Sequence, residues 1–262
     1  MLSPKPDIRI VENVEKLSWE AAEHFVRQAR EAVRTRGGFT VALAGGSTPK
    51  AFYGLLGSRR GAPFRARVPW GTTHFFWGDE RHVPPDHPDS NYRMADEAML
   101  SRVPVAPQNV HRIQAENPDA ALAADEYTEE LRRFFRLGAG QFPRFDLILL
   151  GMGPDGHTAS LFPGTDAVQE QKKLVTAPWV EAFRSYRITL TPPVLNNAAS
   201  VIFLVSGKEK AETLREVLQG EFQPHRFPAQ VIRPTNGRLL WLADRAAARL
   251  LVPPPPSLPS PS

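Results

Sequence analysis

Four times this chain breaks a short, largely apolar run at a glycine and then turns polar or helical, and that grammar admits few folds. Residues 39–44 (FTVALA) stop at Gly45-Gly46-Ser47-Thr48-Pro49 before a helix-like stretch over 50–56. Residues 74–77 (HFFW) stop at Gly78-Asp79-Glu80-Arg81, 145–150 (FDLILL) at Gly151-Met-Gly-Pro-Asp-Gly-His157, and 201–205 (VIFLV) at Ser206-Gly207-Lys208. Runs this short and continuous read as strands buried on both faces.

Helical periodicity fills the intervals. Trp19, Ala22, Phe25, Val26, Ala29 and Val33 fall at three- and four-residue spacing, which predicts a helix over 18–36 ended by Gly37-Gly38. Further helices are expected at about 91–100, with Asp89-Ser90 as its start, and at 119–137 and 208–218. One more strand over 238–242 is closed by a helix at 244–251. Strands alternating with helices predict an α/β fold, with a mostly parallel sheet covered on both faces. We expect one catalytic domain over 1–252, and a Pro/Ser-rich tail over 253–262 that is extended or disordered.

Composition removes several chemistries. The chain has 262 residues and no cysteine, so disulfides, thiolate nucleophiles and cysteine-held metals are out. Its first 30 residues carry Lys5, Asp7, Arg9, Glu12, Glu15 and Lys16 without an apolar core, and no long apolar run follows, so a cytoplasmic protein that binds no membrane is expected. A net charge of +4 is spread over scattered arginines with no nucleic-acid-binding motif, which favours a small phosphorylated ligand over nucleic acid.

In an open α/β sheet, ligands sit at the carboxyl ends of the strands, where these glycine loops gather. Gly45, Gly46, Ser47 and Thr48 offer free amides, two hydroxyls and the positive end of a helix, an arrangement suited to an anion; a plain N-cap by Ser47 or Thr48 is the structural alternative. Gly151-Met-Gly-Pro-Asp-Gly156 matches G-x-G-x-x-G, but Pro163 would stop any helix within about two turns, which argues against a dinucleotide site. His157 follows Asp155 closely enough for the carboxylate to orient the imidazole. Asp79, Glu80 and Arg81 are either a phosphate-binding group or a structural ion pair. His82, Asp86, His87 and Asp89 lack the spacing of a metal site.

Together AGGSTPK (44–50), WGDERHVPPDHPDSN (77–91), FDLILLGMGPDGHTASLFPGT (145–165) and RITLTPPVLNNA (187–198) resemble the signature segments of the 6-phosphogluconolactonases, in that family's order, over roughly residues 10–250. The resemblance implies a three-layer α/β/α, Rossmann-like fold shared with glucosamine-6-phosphate deaminases and more distantly with ribose-5-phosphate isomerases. It implies hydrolysis of 6-phospho-D-glucono-1,5-lactone to 6-phosphogluconate in the oxidative pentose phosphate pathway, with neither metal nor organic cofactor and no obligate protein partner.

By the same resemblance His157 is the general base, Asp155 fixes its tautomer and Asp79 lines the pocket with them. Ser47 and Arg81 hold phosphate with Thr48 beside them, and amides of the glycine loops, Gly153 included, steady the oxyanion. Many members carry a lysine shortly before the RITLT segment. This chain has none between Pro178 and Arg187, so Arg184 or Arg187 is expected to substitute, with Arg187 the closer match. The rival readings are a glucosamine-6-phosphate deaminase-like enzyme and a non-catalytic sugar-phosphate binder. Against the first, deaminases resemble this chain in the D-G-H string but carry glutamate where it has Phe162, and tyrosine where it has Arg81.

Overall fold

The computed structural model describes residues 7–252, so the Pro/Ser-rich tail lies outside the described residues. Six strands form a wholly parallel sheet: β1 (Asp7–Val11), β2 (Phe39–Leu43), β3 (Thr73–Trp77), β5 (Leu147–Leu150), β9 (Ser200–Val205) and β10 (Arg238–Asp244), in the order β1-β10-β9-β5-β2-β3. The short runs read from the sequence are its interior, and β2, β5 and β9 are buried almost end to end.

Helices cover the sheet. Helix α1 (Val14–Arg36) packs with α2 (Ser47–Gly57) and the four-residue α3 (Ala62–Arg65). Right-handed crossovers put β1-α1-β2 and β2-α2-β3 on one face. The chain then reverses direction across the sheet, so the same rule puts α5 (Ala120–Phe135) and α7 (Ala211–Gln219) on the other. Helices α4 (Asn91–Ala98), α6 (Pro192–Asn196) and α8 (Arg245–Ala248) complete the set.

Helix ends follow local chemistry. Helix α1 begins four residues before the apolar periodicity does, because the Asn13 side chain accepts from the Lys16 amide and caps it. Asp119, Ser90 and Asp244 cap α5, α4 and α8 in the same way.

Two features escape the sequence reading. Edge strand β1 alternates Asp7 and Arg9 with Ile8 and Ile10 and is exposed over most of its length. A small antiparallel sheet, β4 (Asp79–Arg81), β8 (Ser185–Leu190) and β6 (Val175–Thr176), with β7 (Trp179–Val180) against β8, has strands mostly too short to show a period. It stands at the carboxyl end of β3 and carries much of the site.

Candidate active site

Chain direction reverses between β2 and β5, so the loops that leave these neighbours diverge and open a crevice at the carboxyl end of the sheet. The loops after β2, β3 and β5 meet there. A Cβ on Gly45 would fall 2.0 Å from Asn91 Oδ1, and Asn91 Nδ2 donates to the Asp79 carbonyl at 2.9 Å. Asp79 Oδ2 in turn accepts from Ser160 Oγ at 2.7 Å. One run of contacts thus joins the glycine turn, the acidic strand and the histidine loop. An open cleft of about 1590 Å³ lies at the opposite end, where Ser200 and Arg238 begin their strands, and includes none of these residues.

The turn after β2 is pinned by buried Tyr53, whose hydroxyl accepts from the Ala44 amide and donates to its carbonyl. Gly46 then takes φ 101° and serves as the N-cap of α2, a backbone conformation closed to most side chains. No side chain caps the helix, so the plain N-cap alternative for Ser47 or Thr48 does not hold. Ser47 is exposed and Thr48 is buried in the first turn, which leaves an uncapped positive helix end beside an exposed hydroxyl.

The loop after β5 runs without an α-helix to a one-turn segment at Asp166–Gln169, unlike a dinucleotide crossover. Within it, Asp155 Oδ1 lies 2.5 Å from His157 Nδ1 and also accepts from the His157 amide. Burial raises the Asp155 carboxyl, but the hydrogen bond and charge of His157 outweigh it and hold it below the usual carboxylate range. Among the described residues nothing hydrogen-bonds His157 Nε2. The Phe162 ring lies against the imidazole, tilted by 33° with ring centroids 4.1 Å apart.

Gly153 requires a correction. Its amide donates to the His157 carbonyl at 2.8 Å and is not free for an oxyanion. Its part is spatial, since a Cβ there would sit 2.1 Å from His157 Nδ1 and 2.5 Å from Asp155 Oδ1.

The β4–β8 ladder sorts its residues by face. Arg81 pairs with Arg187 and Asp79 with Thr189, so these four share one face, while Glu80 and Ile188 take the other. Glu80 is no partner of Arg81's guanidinium. Its carboxylate accepts from the amides of Arg81, Asn91 and Tyr92 and from Ser90 Oγ, clamping the start of α4. Burial pushes its carboxyl up, only partly offset by those amides.

The structural ion-pair reading of 79–81 is therefore wrong. Among the described residues neither Arg81 nor Arg187 makes a salt bridge; Arg81 Nη1 donates to the Asp89 carbonyl and Arg187 Nη1 to that of Tyr186. Burial, and then the charge of Arg81, hold the Arg187 guanidinium below its usual range, against Asp79, Asp89 and Glu80. Like charges directly opposite in a ladder are destabilising, a cost that an anion bound between them would relieve. Arg184 lies at an exposed turn with φ 45° and takes no place in the ladder.

Three polar residues escaped the sequence reading. Ser160 and Asn91 are buried and reveal their part only through Asp79. Lys210, just before α7, is half-buried, and burial holds its ammonium below the usual lysine range although Glu209 and Asp155 pull it up. The Ser206-Gly207 turn after β9 was its only signal. His82 and His87 are engaged elsewhere, His82 with the Asn117 carbonyl and His87 with the Asp89 amide. Among the described residues no helix is long and apolar enough to cross a membrane.

This geometry has known relatives. The chain is 42% identical over 248 residues to a 6-phosphogluconolactonase of Synechocystis sp., covering 95% of this chain and 99% of that one. The solved 6-phosphogluconolactonase from Trypanosoma brucei superposes with a TM-score of 0.81 at 30% identity, over 95% of this chain and 99% of that one. A monomeric glucosamine-6-phosphate deaminase shares the fold, with a TM-score of 0.77 at 21% identity, over 93% and 99%. The family model described as glucosamine-6-phosphate isomerases/6-phosphogluconolactonase matches residues 12–241, and with the crevice and its loops already accounted for, the chain belongs to that family.

Proposed function

We propose that this chain hydrolyses 6-phospho-D-glucono-1,5-lactone to 6-phosphogluconate, the lactone-opening step of the oxidative pentose phosphate pathway. The observation that carries the reading is the junction of an Asp155–His157 dyad with an Arg81–Arg187 pair that, among the described residues, makes no salt bridge, through one hydrogen bond, Ser160 to Asp79. A base and a dianion cradle joined in one crevice are what a phosphorylated ester substrate requires.

Asp155 holds the proton of the imidazole on Nδ1 and leaves Nε2 as the free base. Nε2 takes a proton from water as the water oxygen attacks the lactone carbonyl. The resulting oxyanion faces the free amides of the Gly45-Gly46 turn and the positive end of α2. Collapse of the tetrahedral species breaks the bond between the carbonyl carbon and the ring oxygen, and the imidazolium returns its proton to that oxygen. The new acid ionises in water. General base catalysis of this kind contributes about 10²–10⁴ in rate. Arg81 and Arg187 hold the phosphate, with Ser47 as a neutral donor, and every step draws only on this chain and water.

An isomerase-deaminase reading is less well supported. Phe162 presses its ring on His157, so no carboxylate stands there to extend a proton relay. A lactone assay corrected for spontaneous opening, run beside ammonia release from glucosamine 6-phosphate, tests the choice. Enzyme-dependent lactone opening without ammonia release is expected; ammonia release without lactone opening would overturn it.

A further inference from the structure

Asp79 and Glu80 are buried carboxylates beside two guanidiniums, yet neither pairs with one. Glu80 is turned to the other face and saturated by four donors. Asp79 has no such excuse, because it shares its face with Arg81 and Arg187. A guanidinium is a stronger partner for a carboxylate than a hydroxyl is. What Asp79 has instead is Ser160 Oγ at 2.7 Å on Oδ2, with Asn91 Nδ2 at 2.9 Å on its carbonyl and 3.5 Å from Oδ1.

The histidine loop is bent to deliver that hydroxyl. Ala159, just before Ser160, takes φ 46°, a conformation that costs a residue with a Cβ of order 1 kcal/mol or more. The Ser160 amide then donates to Thr189 Oγ1 at 3.2 Å, next to Arg187 on the same face of β8. Ser160 is thus fixed from both strands of the ladder.

We propose that Ser160 is a positioning residue that holds the Asp79 carboxylate off the Arg81–Arg187 pair, so that both guanidiniums stay open to a phosphate dianion. The inference rests on the phosphate role given to that pair above. Without the hydroxyl, Asp79 swings onto a guanidinium and becomes an internal competitor of the substrate.

Binding of inorganic phosphate, and turnover of phosphorylated and unphosphorylated gluconolactone, are measured on the full chain for wild type, Ser160→Ala, Asp79→Asn, the double variant and Arg81→Ala. Ser160→Ala weakens phosphate binding and raises KM for the phosphorylated lactone by about 3–10-fold, and leaves kcat/KM for the unphosphorylated one within about twofold. Adding Asp79→Asn restores phosphate binding to at least the wild-type level. Equal losses on both substrates, or a loss that persists in the double variant, would make Ser160 a loop-shaping residue and overturn the inference. Should Ser160→Ala fail to fold, Asp79→Asn alone must bind phosphate at least as tightly as wild type, and weaker binding rejects the idea. Arg81→Ala reports on the premise separately: unchanged phosphate binding there removes the phosphate role itself.

Discussion

Strands β5 and β9 read Leu-Ile-Leu-Leu and Ser-Val-Ile-Phe-Leu-Val and are buried throughout, whereas the β4–β8 ladder, one residue beyond β3, sets Arg81 against Arg187 beside two buried carboxylates. In the first region every neighbour favours the fold. In the second, like charges face each other, Ala159 is strained nearby, and the carboxylates are tied to hydroxyls and amides rather than to the cations. The difference is the one a ligand site would produce, since unfavourable arrangements persist where a ligand relieves them and the surrounding packing can bear their cost.

Substitutions should separate the two regions. The largest effect on stability belongs to the parallel sheet. Phe203 stacks on Trp241 at 3.7 Å between centroids, and Phe203→Ala should lower unfolding free energy by about 3–5 kcal/mol in denaturant titrations, with kcat per folded molecule nearly unchanged. A matching loss of kcat would mean that the sheet does more than support the site. Gly153→Ala should show the reverse, because a Cβ would displace the His157–Asp155 pair: about 10²-fold in kcat with a melting temperature within a few degrees of wild type.

Arg187→Ala removes one of two opposed charges. We expect KM for the phosphorylated lactone to rise about tenfold and the unfolding midpoint to stay level or rise. A clear fall in stability would show that the pair is structural after all.

The smallest effect lies on the flank of the parallel sheet. There burial, then the charge of His111, lowers the pKa of His74, whose Nδ1 is 3.1 Å from His111 Nε2. The unfolded chain therefore binds the proton more readily than the folded one. Stability from this group is complete above the ordinary value of 6.5 and falls as pH drops below it, by less than about 1.4 kcal/mol per pH unit. His74→Phe should flatten that part of the stability profile, and an unaltered profile would assign it to other groups.

The parallel strands were legible because each is a continuous apolar run closed by glycine, and the long helices because their apolar period repeats. The antiparallel ladder was not, since two- and three-residue strands carry no period and the partner of Arg81 stands more than 100 residues away. For the same reason, adjacency in sequence suggested an ion pair at 79–81, while strand alternation turns Glu80 away from its neighbours. His157 and Asp155 were readable from their two-residue spacing. Ser160 and Asn91 act through tertiary contacts that no local pattern reports, and only the Ser206-Gly207 turn pointed toward Lys210.

Lactone hydrolysis by His157→Ala is the most direct measurement. With the fold checked by thermal unfolding and 6-phosphogluconate binding retained, kcat should fall by about two to four orders of magnitude, the share expected of a lost general base. Turnover within a few-fold of wild type in a folded, ligand-binding variant would contradict the account, because among the described residues of the crevice no other imidazole is held by a carboxylate as His157 is by Asp155.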